Sequence, residues 1–191
     1  MEPVYKLSLD HNYTNVMVDI ETLGINPDSV ILSIGACAVE APTEVQFYQE
    51  ISIHNQCGRY ADLDSVKWWM NQPIKPPMDG VVSLEQTLVA FGNWLGDAFV
   101  ERGKLIVWAN GTDFDISILK HAYETNDAGA IPWKYNNVRD YRTLSKVCSH
   151  IPCSEFVGDK HNALADAVYQ AQYLSVIKAY YNDIRIGLGG V

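Results

Sequence analysis

VMVDIETLG, residues 16–24, reads as a buried strand that carries two acids near its end. Val and Ile dominate from Asn15 to Ile20, which suits a pleated and packed surface. Asp19 and Glu21 stand one residue apart in that run. Side chains at i and i+2 of a strand point to one face, so both carboxylates project together just before the turn at Gly24. Like charges held together are costly unless a cation lies between them; the plain alternative is a solvated strand end. Mg²⁺ and Mn²⁺ prefer carboxylate oxygens.

Outward from this strand the elements alternate. Val30–Glu40 predicts a second strand and Glu44–Ile53 a third, with APT (41–43) as the turn between them and TLGINPDS (22–29) as the earlier loop. Two antiparallel hairpin connections follow. Asp62–Met70 predicts a helix capped by Asp62 or Asp64 and stopped by Pro73, Pro76 and Pro77. Ser83–Val100 places Leu84, Leu88, Phe91, Leu95 and Phe99 at helical spacing behind a Ser83/Gln86 capping box. Leu105–Ala109 predicts a strand, and Asp113–Glu124 a helix with an Ile116, Leu119, Tyr123 stripe. Asn137–Asp140 predicts a short strand and Tyr141–His150 a helix. A long helix, Asn162–Tyr181, turns Leu164, Ala167, Val168, Ala171, Leu174, Ile177 and Tyr181 to the core. A meander followed by alternating helices and strands is an α/β pattern, a mixed sheet with helices packed on it.

The chain has 191 residues, 48% hydrophobic and 19% charged, which is enough apolar material for one domain, 1–191, with a core over about 15–181. No apolar run approaches the roughly 20 residues that span a membrane. The start, MEPVYKLSLDHNY, lacks the basic and apolar regions of a secretion signal. The expected compartment is the cytoplasm, or a host's cytoplasm if the gene is phage-borne. Cys37, Cys57, Cys148 and Cys153 form no CxxC pair and match no zinc pattern, so any metal would be a hard one. A net charge of −9 argues against coating nucleic acid by charge alone. It leaves room for an enzyme that lets divalent ions supply the positive charge.

Two further segments carry acids at element boundaries. In WANGTDFDISIL (108–119), Asp113 and Asp115 begin a helix; Asp113 is placed to cap it, while Asp115 in the first turn can face the sheet, although both could serve as caps. In DKHNALADA (159–167), Asn162 is a candidate N-cap. Asp166 lies on an apolar face between Ala163 and Ala167, where an acid is unwelcome without a partner. His161, on the loop just before, can arch over the same place. Four carboxylates and a histidine exceed what one ion needs. They suit two, in the hydrolysis of a phosphodiester.

This set resembles the DEDD exonuclease superfamily, in its histidine branch. Three motifs stand in the family's order over roughly residues 15–180: DIE (Asp19, Glu21), the FD of TDFDISIL (Asp115), and HNALAD (His161, Asp166). Where many relatives have HNAxFD, this chain has ANGTDFD, which changes the spacing from the strand; Asp115 is matched because it follows Phe114. VKWWMNQP (66–73), WANGTDFD and PWKYNNVRDYRTL (132–144) look like the phage exodeoxyribonucleases and the mycobacterial 3′–5′ exoribonuclease grouped with them. The resemblance implies a ribonuclease H-like fold. It also implies two Mg²⁺ or Mn²⁺ held by Asp19, Glu21, Asp115 and Asp166, with Asp19 between them and His161 as the base.

The activity so implied is removal of nucleoside 5′-monophosphates from single-stranded or unpaired 3′ ends, with DNA favoured on the phage-like segments. An exoribonuclease or short-oligonucleotide nuclease is the alternative. A neutral His161 is needed, so activity should fall in acid. For substrate contacts the candidates are Thr22, Leu23, Asn110 and Trp69, with Trp68 as a second choice; the tryptophans could equally be core. Arg139 and Arg142 could meet phosphate or pair with acids. Relatives are often dimers, so a homodimer is among the expected partners; a membrane is not. Two rivals remain: an inactive nucleic-acid-binding scaffold, which the complete five-residue set argues against, and a haloacid-dehalogenase-type phosphatase. The latter needs Asp, not Glu21, at that spacing, and leaves the His161/Asp166 pair without a purpose.

Overall fold

The computed structural model describes residues 4–6, 13–99 and 103–187. The acidic stretch is β2 (Asn15–Thr22), preceded by a short β1 (Val4–Lys6) and followed by β3 (Ile31–Ala38) and β4 (Ala41–Glu50). Then come α1 (Leu63–Met70), α2 (Leu84–Ala98), β5 (Ile106–Ala109), α3 (Asp115–Thr125), β6 (Val138–Asp140), α4 (Tyr141–Val147) and α5 (Ala163–Gly187). The six strands form one sheet in the order β1-β4-β3-β2-β5-β6. The pairs β1–β4, β4–β3 and β3–β2 are antiparallel, whereas β5 runs parallel to β2 and β6 parallel to β5. This is the mixed α/β sheet that the order of elements predicts.

β2 lies inside the sheet, and its alternation sorts the two layers. Val16, Val18 and Ile20 face α2 and α3, in a core with Phe47, Leu88, Phe91, Trp94, Ile118 and Leu119. Met17 faces the other way, with Cys37, against Ala167, Ala171 and Leu174 of α5. Asp19 and Glu21 continue the Met17 face, so the two acids point toward the layer that holds α5.

β3 is buried along its whole length, since it is covered on both faces and flanked on both edges. Gly35 on β3 pairs with Asp19 on one side and Tyr48 on the other. A Cβ at position 35 would overlap the carbonyl carbon of Ala163 and the amide nitrogen of Leu164. The first turn of α5 therefore rests directly on the bare backbone of Gly35, beside Asp19.

The caps hold as the sequence predicts for α1 and α2. Asp62 accepts from the amides of Asp64 and Ser65, and Ser83 and Gln86 close a capping box. Several expectations are corrected. APT lies inside β4, because Ala38 pairs with Ala41 and the hairpin turns at Val39–Glu40 instead. β1 goes unread in the sequence: three residues carry no usable period, and pairing to β4 makes the strand. Asp113 does not cap α3; Phe114 holds the cap position without a side-chain bond. Helix α4 stops at Val147, short of His150. Tyr181 is 42% exposed rather than core, and its hydroxyl meets the Cys148 thiol at 3.7 Å. Val100, expected at the end of α2, lies outside the described residues. No helix among the described residues is long and apolar enough to cross a membrane.

Candidate active site

Three carboxylates from two distant segments converge on the α5 side of the sheet. Asp19 and Glu21 come from β2, and Asp166 comes from the first turn of α5. One oxygen of each lies within 4.8 Å of the others. The fourth acid, Asp115, arrives from the start of α3, which packs on the opposite face. It is 2% exposed, and its Oδ1 accepts the amide N–H of Ile20 at 3.2 Å. That bond holds α3 to β2 between the two metal-type acids. Asp115 stands outside the group of three but close enough to disfavour ionisation of both Asp19 and Glu21.

Burial and mutual repulsion govern the charge here. Burial first, then Asp115 and Glu21, push the Asp19 carboxyl well above the usual carboxylate range. Burial, Asp166 and Asp115 push Glu21 up to about 8. Burial pushes Asp115 up to about 7, against the opposing pull of the Ile20 amide and of Arg142. Asp166 is raised too, by burial, although the amide of His161 and nearby cations pull it down. Such a cluster is short of positive charge, and its donors are all hard oxygens. It fits divalent ions of the Mg²⁺ or Mn²⁺ type.

A consequence follows for stability without metal. Glu21 and Asp115 hold protons in the folded protein at pH values where the unfolded chain, with ordinary carboxyls near 4.5 and 3.8, has lost them. The folded state binds more protons, so stability falls as pH rises from about 4 to about 8. In EDTA the Tm should drop on the order of 5 °C between pH 5 and pH 8. Added Mg²⁺ should restore more of it at pH 8 than at pH 5. A Tm that rises with pH across this window in EDTA would contradict the arrangement.

His161 lies beside this group in a left-handed backbone conformation, φ 64°, which a non-glycine residue keeps only where its surroundings hold it. Its amide donates to Asp166 Oδ2 at 2.9 Å. Its ring meets Trp68 edge-to-face at 4.8 Å and Trp69 at 6.2 Å. Asn162 Oδ1 accepts from the Ala165 amide at 3.0 Å, the cap expected of it.

A cleft of about 480 Å³ opens beside the acids, lined by Glu21, Thr22, Gly24, Ser65, Trp68 and Phe114 among others. Of the predicted substrate contacts, Thr22 is on its wall, although its hydroxyl is spent on the Gly24 carbonyl at 2.6 Å. Trp69 also lines the cleft but is only 3% exposed; it packs with Leu23, Val30 and Leu32, and donates its indole N–H to the Thr22 carbonyl at 2.9 Å. The exposed ring is Trp68, at 43%. Leu23 is buried in that same cluster and does not line the cleft. Asn110 does not line the cleft; its carbonyl accepts from Arg142 at 2.6 Å. Arg142 is thus a clamp on the loop leading to Asp115, joined there by Asp140, whose Oδ2 accepts the Thr112 amide at 3.0 Å. Arg139 donates to the carbonyls of Asn136 and Val138.

Gln170 escapes a reading of the sequence. It lies one turn beyond Asp166, is buried, and donates Nε2 to Asp19 Oδ1 at 3.0 Å while its Oε1 has no partner among the described residues. The available signal is a polar residue four positions after an acid, on a face otherwise made of Ala167, Ala171 and Leu174.

The family model of the 3′–5′ exoribonuclease Rv2179c-like domain matches residues 14–178. No curated protein sequence matches the chain. Among solved structures, S. pombe Pop2p in its Mg²⁺- and Mn²⁺-bound form is similar at 16% identity, over 90% of this chain and 85% of that one, with a TM-score of 0.60. E. coli Exonuclease I in complex with a 5cy-dT13 oligonucleotide is similar at 15% identity, over 88% of this chain and 41% of that one, with a TM-score of 0.56. Cell-death related nuclease 4 is similar at 14% identity, over 94% and 65%, with a TM-score of 0.55. At such identities the likeness is one of fold, the ribonuclease H-like sheet of DEDD exonucleases. This chain spans less than half the length of Exonuclease I.

Proposed function

The chain belongs to the 3′–5′ exoribonuclease Rv2179c-like family and is a nuclease, and from that premise we propose that it removes nucleoside 5′-monophosphates from unpaired 3′ ends with the help of two divalent ions. The whole chain, 1–191, acts as one catalytic domain in this reading. The observation that carries it is the meeting of Asp19, Glu21 and Asp166 within 4.8 Å, with Asp115 beside them and His161 alongside. Pop2p, of the same fold, is known in a form with Mg²⁺ and Mn²⁺ bound.

Asp19, Glu21, Asp115 and Asp166 would hold the ions, with Asp19 at the centre of the group, flanked by the others. Bound there, the ions supply the charge that makes water a better nucleophile and the 3′ oxygen a better leaving group. His161 takes the proton of the attacking water and must be neutral to do so. Trp68 offers its exposed ring to the terminal base in the cleft, a contact that tolerates any base. Gln170 keeps the Asp19 carboxylate turned toward the cluster.

For the sugar, the family's description supports RNA over the DNA favoured by the phage-like segments, while Exonuclease I of the same fold is seen with a dT13 oligonucleotide. RNA is therefore the first substrate to try. Matched RNA and DNA oligonucleotides labelled at the 5′ end, with Mg²⁺ or Mn²⁺, should shorten stepwise from the 3′ end, RNA faster, and release mononucleotides. If neither shortens with either metal, the reading fails. If a phosphate monoester is hydrolysed instead, the site is a phosphatase.

A further inference from the structure

Phe114 lines the cleft beside the metal-type acids. Thr112 and Ile116, two residues to either side of it, line another cleft of about 280 Å³, together with Lys120, Trp133, Tyr135 and Val138. This second cleft is therefore continuous in sequence with Asp115. Its floor is Trp133, buried and set edge-on against Tyr123 at 5.9 Å. Tyr135 stands over it with 92% of its surface exposed, so packing does not account for an aromatic ring there. Lys120 reaches the rim, and its ion pair with Glu124 is long, 3.6 Å, and half-exposed on both sides. Such a pair is weak and yields readily to a better anion.

Charge distinguishes the segment that walls this cleft from the far side of the site. Residues 131–142 carry Lys134, Arg139 and Arg142 against a single acid, Asp140, in a chain of net charge −9. Arg142 is anchored on the loop before Asp115. On the far side of the site, a cleft of about 260 Å³ next to His161 is lined by Glu50, Asp79 and Asp159, with Lys75 as its one lysine. That lysine is already bound to Asp79 at 2.7 Å. A polyanion extending away from the acidic cluster is repelled by the second surface and accepted by the first.

We propose that the Trp133–Tyr135 cleft is a binding subsite for an upstream nucleobase of the single-stranded substrate, with the neighbouring backbone phosphates passing between Lys120 and Arg142. The terminal nucleotide occupies the cleft beside Glu21, and the chain crosses the start of α3 to reach the subsite. An apolar floor with an aromatic plate binds any base by stacking, so the subsite adds affinity for length and little for sequence. The proposal rests on the nuclease reading above but is separable from it.

The test compares wild type, Tyr135→Ala and Tyr135→Trp on a dinucleotide and on an RNA of about eight nucleotides. Tyr135→Ala should raise KM for the longer RNA about tenfold, leave kcat unchanged, and leave dinucleotide hydrolysis unaltered; Tyr135→Trp should restore the KM. Equal KM values for the longer RNA overturn the subsite, as does an equal loss on the dinucleotide. Anisotropy of the same RNA carrying a 5′ fluorophore reads binding without turnover. If wild type hydrolyses nothing, the nuclease reading falls, and the subsite is then judged on anisotropy alone. Identical affinities for wild type and Tyr135→Ala, or no binding by either, overturn it.

Discussion

Asp19→Asn should lower kcat by about three orders of magnitude while making the metal-free protein more heat-stable at pH 8. The two effects have one cause. Asp19 sits among Glu21, Asp115 and Asp166, and burial together with those neighbours holds its carboxyl far above the ordinary range. Ionising it costs folding free energy that only a bound cation repays. Asparagine keeps the shape and still accepts the Gln170 amide, so the fold stays. It removes the charge on which the cations depend, worth about 4 kcal/mol in the transition state, or about 10³-fold. The gain in Tm in EDTA should grow from pH 5 to pH 8, because the wild-type penalty grows over that range. Rates on a labelled oligonucleotide and melting curves with EDTA and with Mg²⁺ measure both. Retention of a tenth or more of wild-type kcat would sink the assignment of Asp19, and an unchanged melting curve at pH 8 would sink the account of its charge.

Gly35→Ala should lower the rate about 10²-fold from a position that touches no substrate. A methyl group at 35 overlaps the main chain of Ala163 and Leu164; main chain cannot rotate out of the way as a side chain can. α5 must lift off the sheet by an ångström or so. It carries Asp166 and Gln170, and the loop before it carries His161. Misplacement on this scale costs about 10²-fold in rate, and overpacking costs about 1–3 kcal/mol in stability. Mg²⁺ should then protect the variant against heat far less than it protects wild type. This metal readout separates displacement of the site from mere loss of stability. A Gly35→Ala protein with wild-type rate and wild-type Mg²⁺ protection would show that α5 does not depend on this contact.

Much of the site is legible along the chain because its signals are local. A DxE pair on an otherwise apolar strand must put both acids on one face, and β2 does so. A histidine five residues before an acid, on the loop that leads into a helix otherwise filled with Ala and Leu, marks His161 and Asp166. The capping box at Ser83 and the apolar stripes of α2 and α3 are likewise short-range patterns, and they hold. Failures occur where a distant partner decides. Trp68 and Trp69 are adjacent and chemically identical, and only the packing of α1 over Leu23 and Leu32 buries one and exposes the other. Arg142 reads equally as a partner for phosphate or for an acid, and only the fold brings it to the Asn110 carbonyl. Asp113 is a better capping residue than Phe114 in isolation, yet the turn at Gly111 leaves it exposed.

By itself the sequence determined the α/β order of elements, the hard-metal character of the acids and the family, since these follow from residue types at fixed short spacings. Tertiary structure alone decided that β2 lies between an antiparallel and a parallel neighbour, and that α5 presses on bare Gly35. It also decided that Gln170 reaches Asp19 across 151 positions of chain. Side-chain periodicity reports which face a residue occupies, whereas the partner on that face is fixed only when separate segments close together and exclude water.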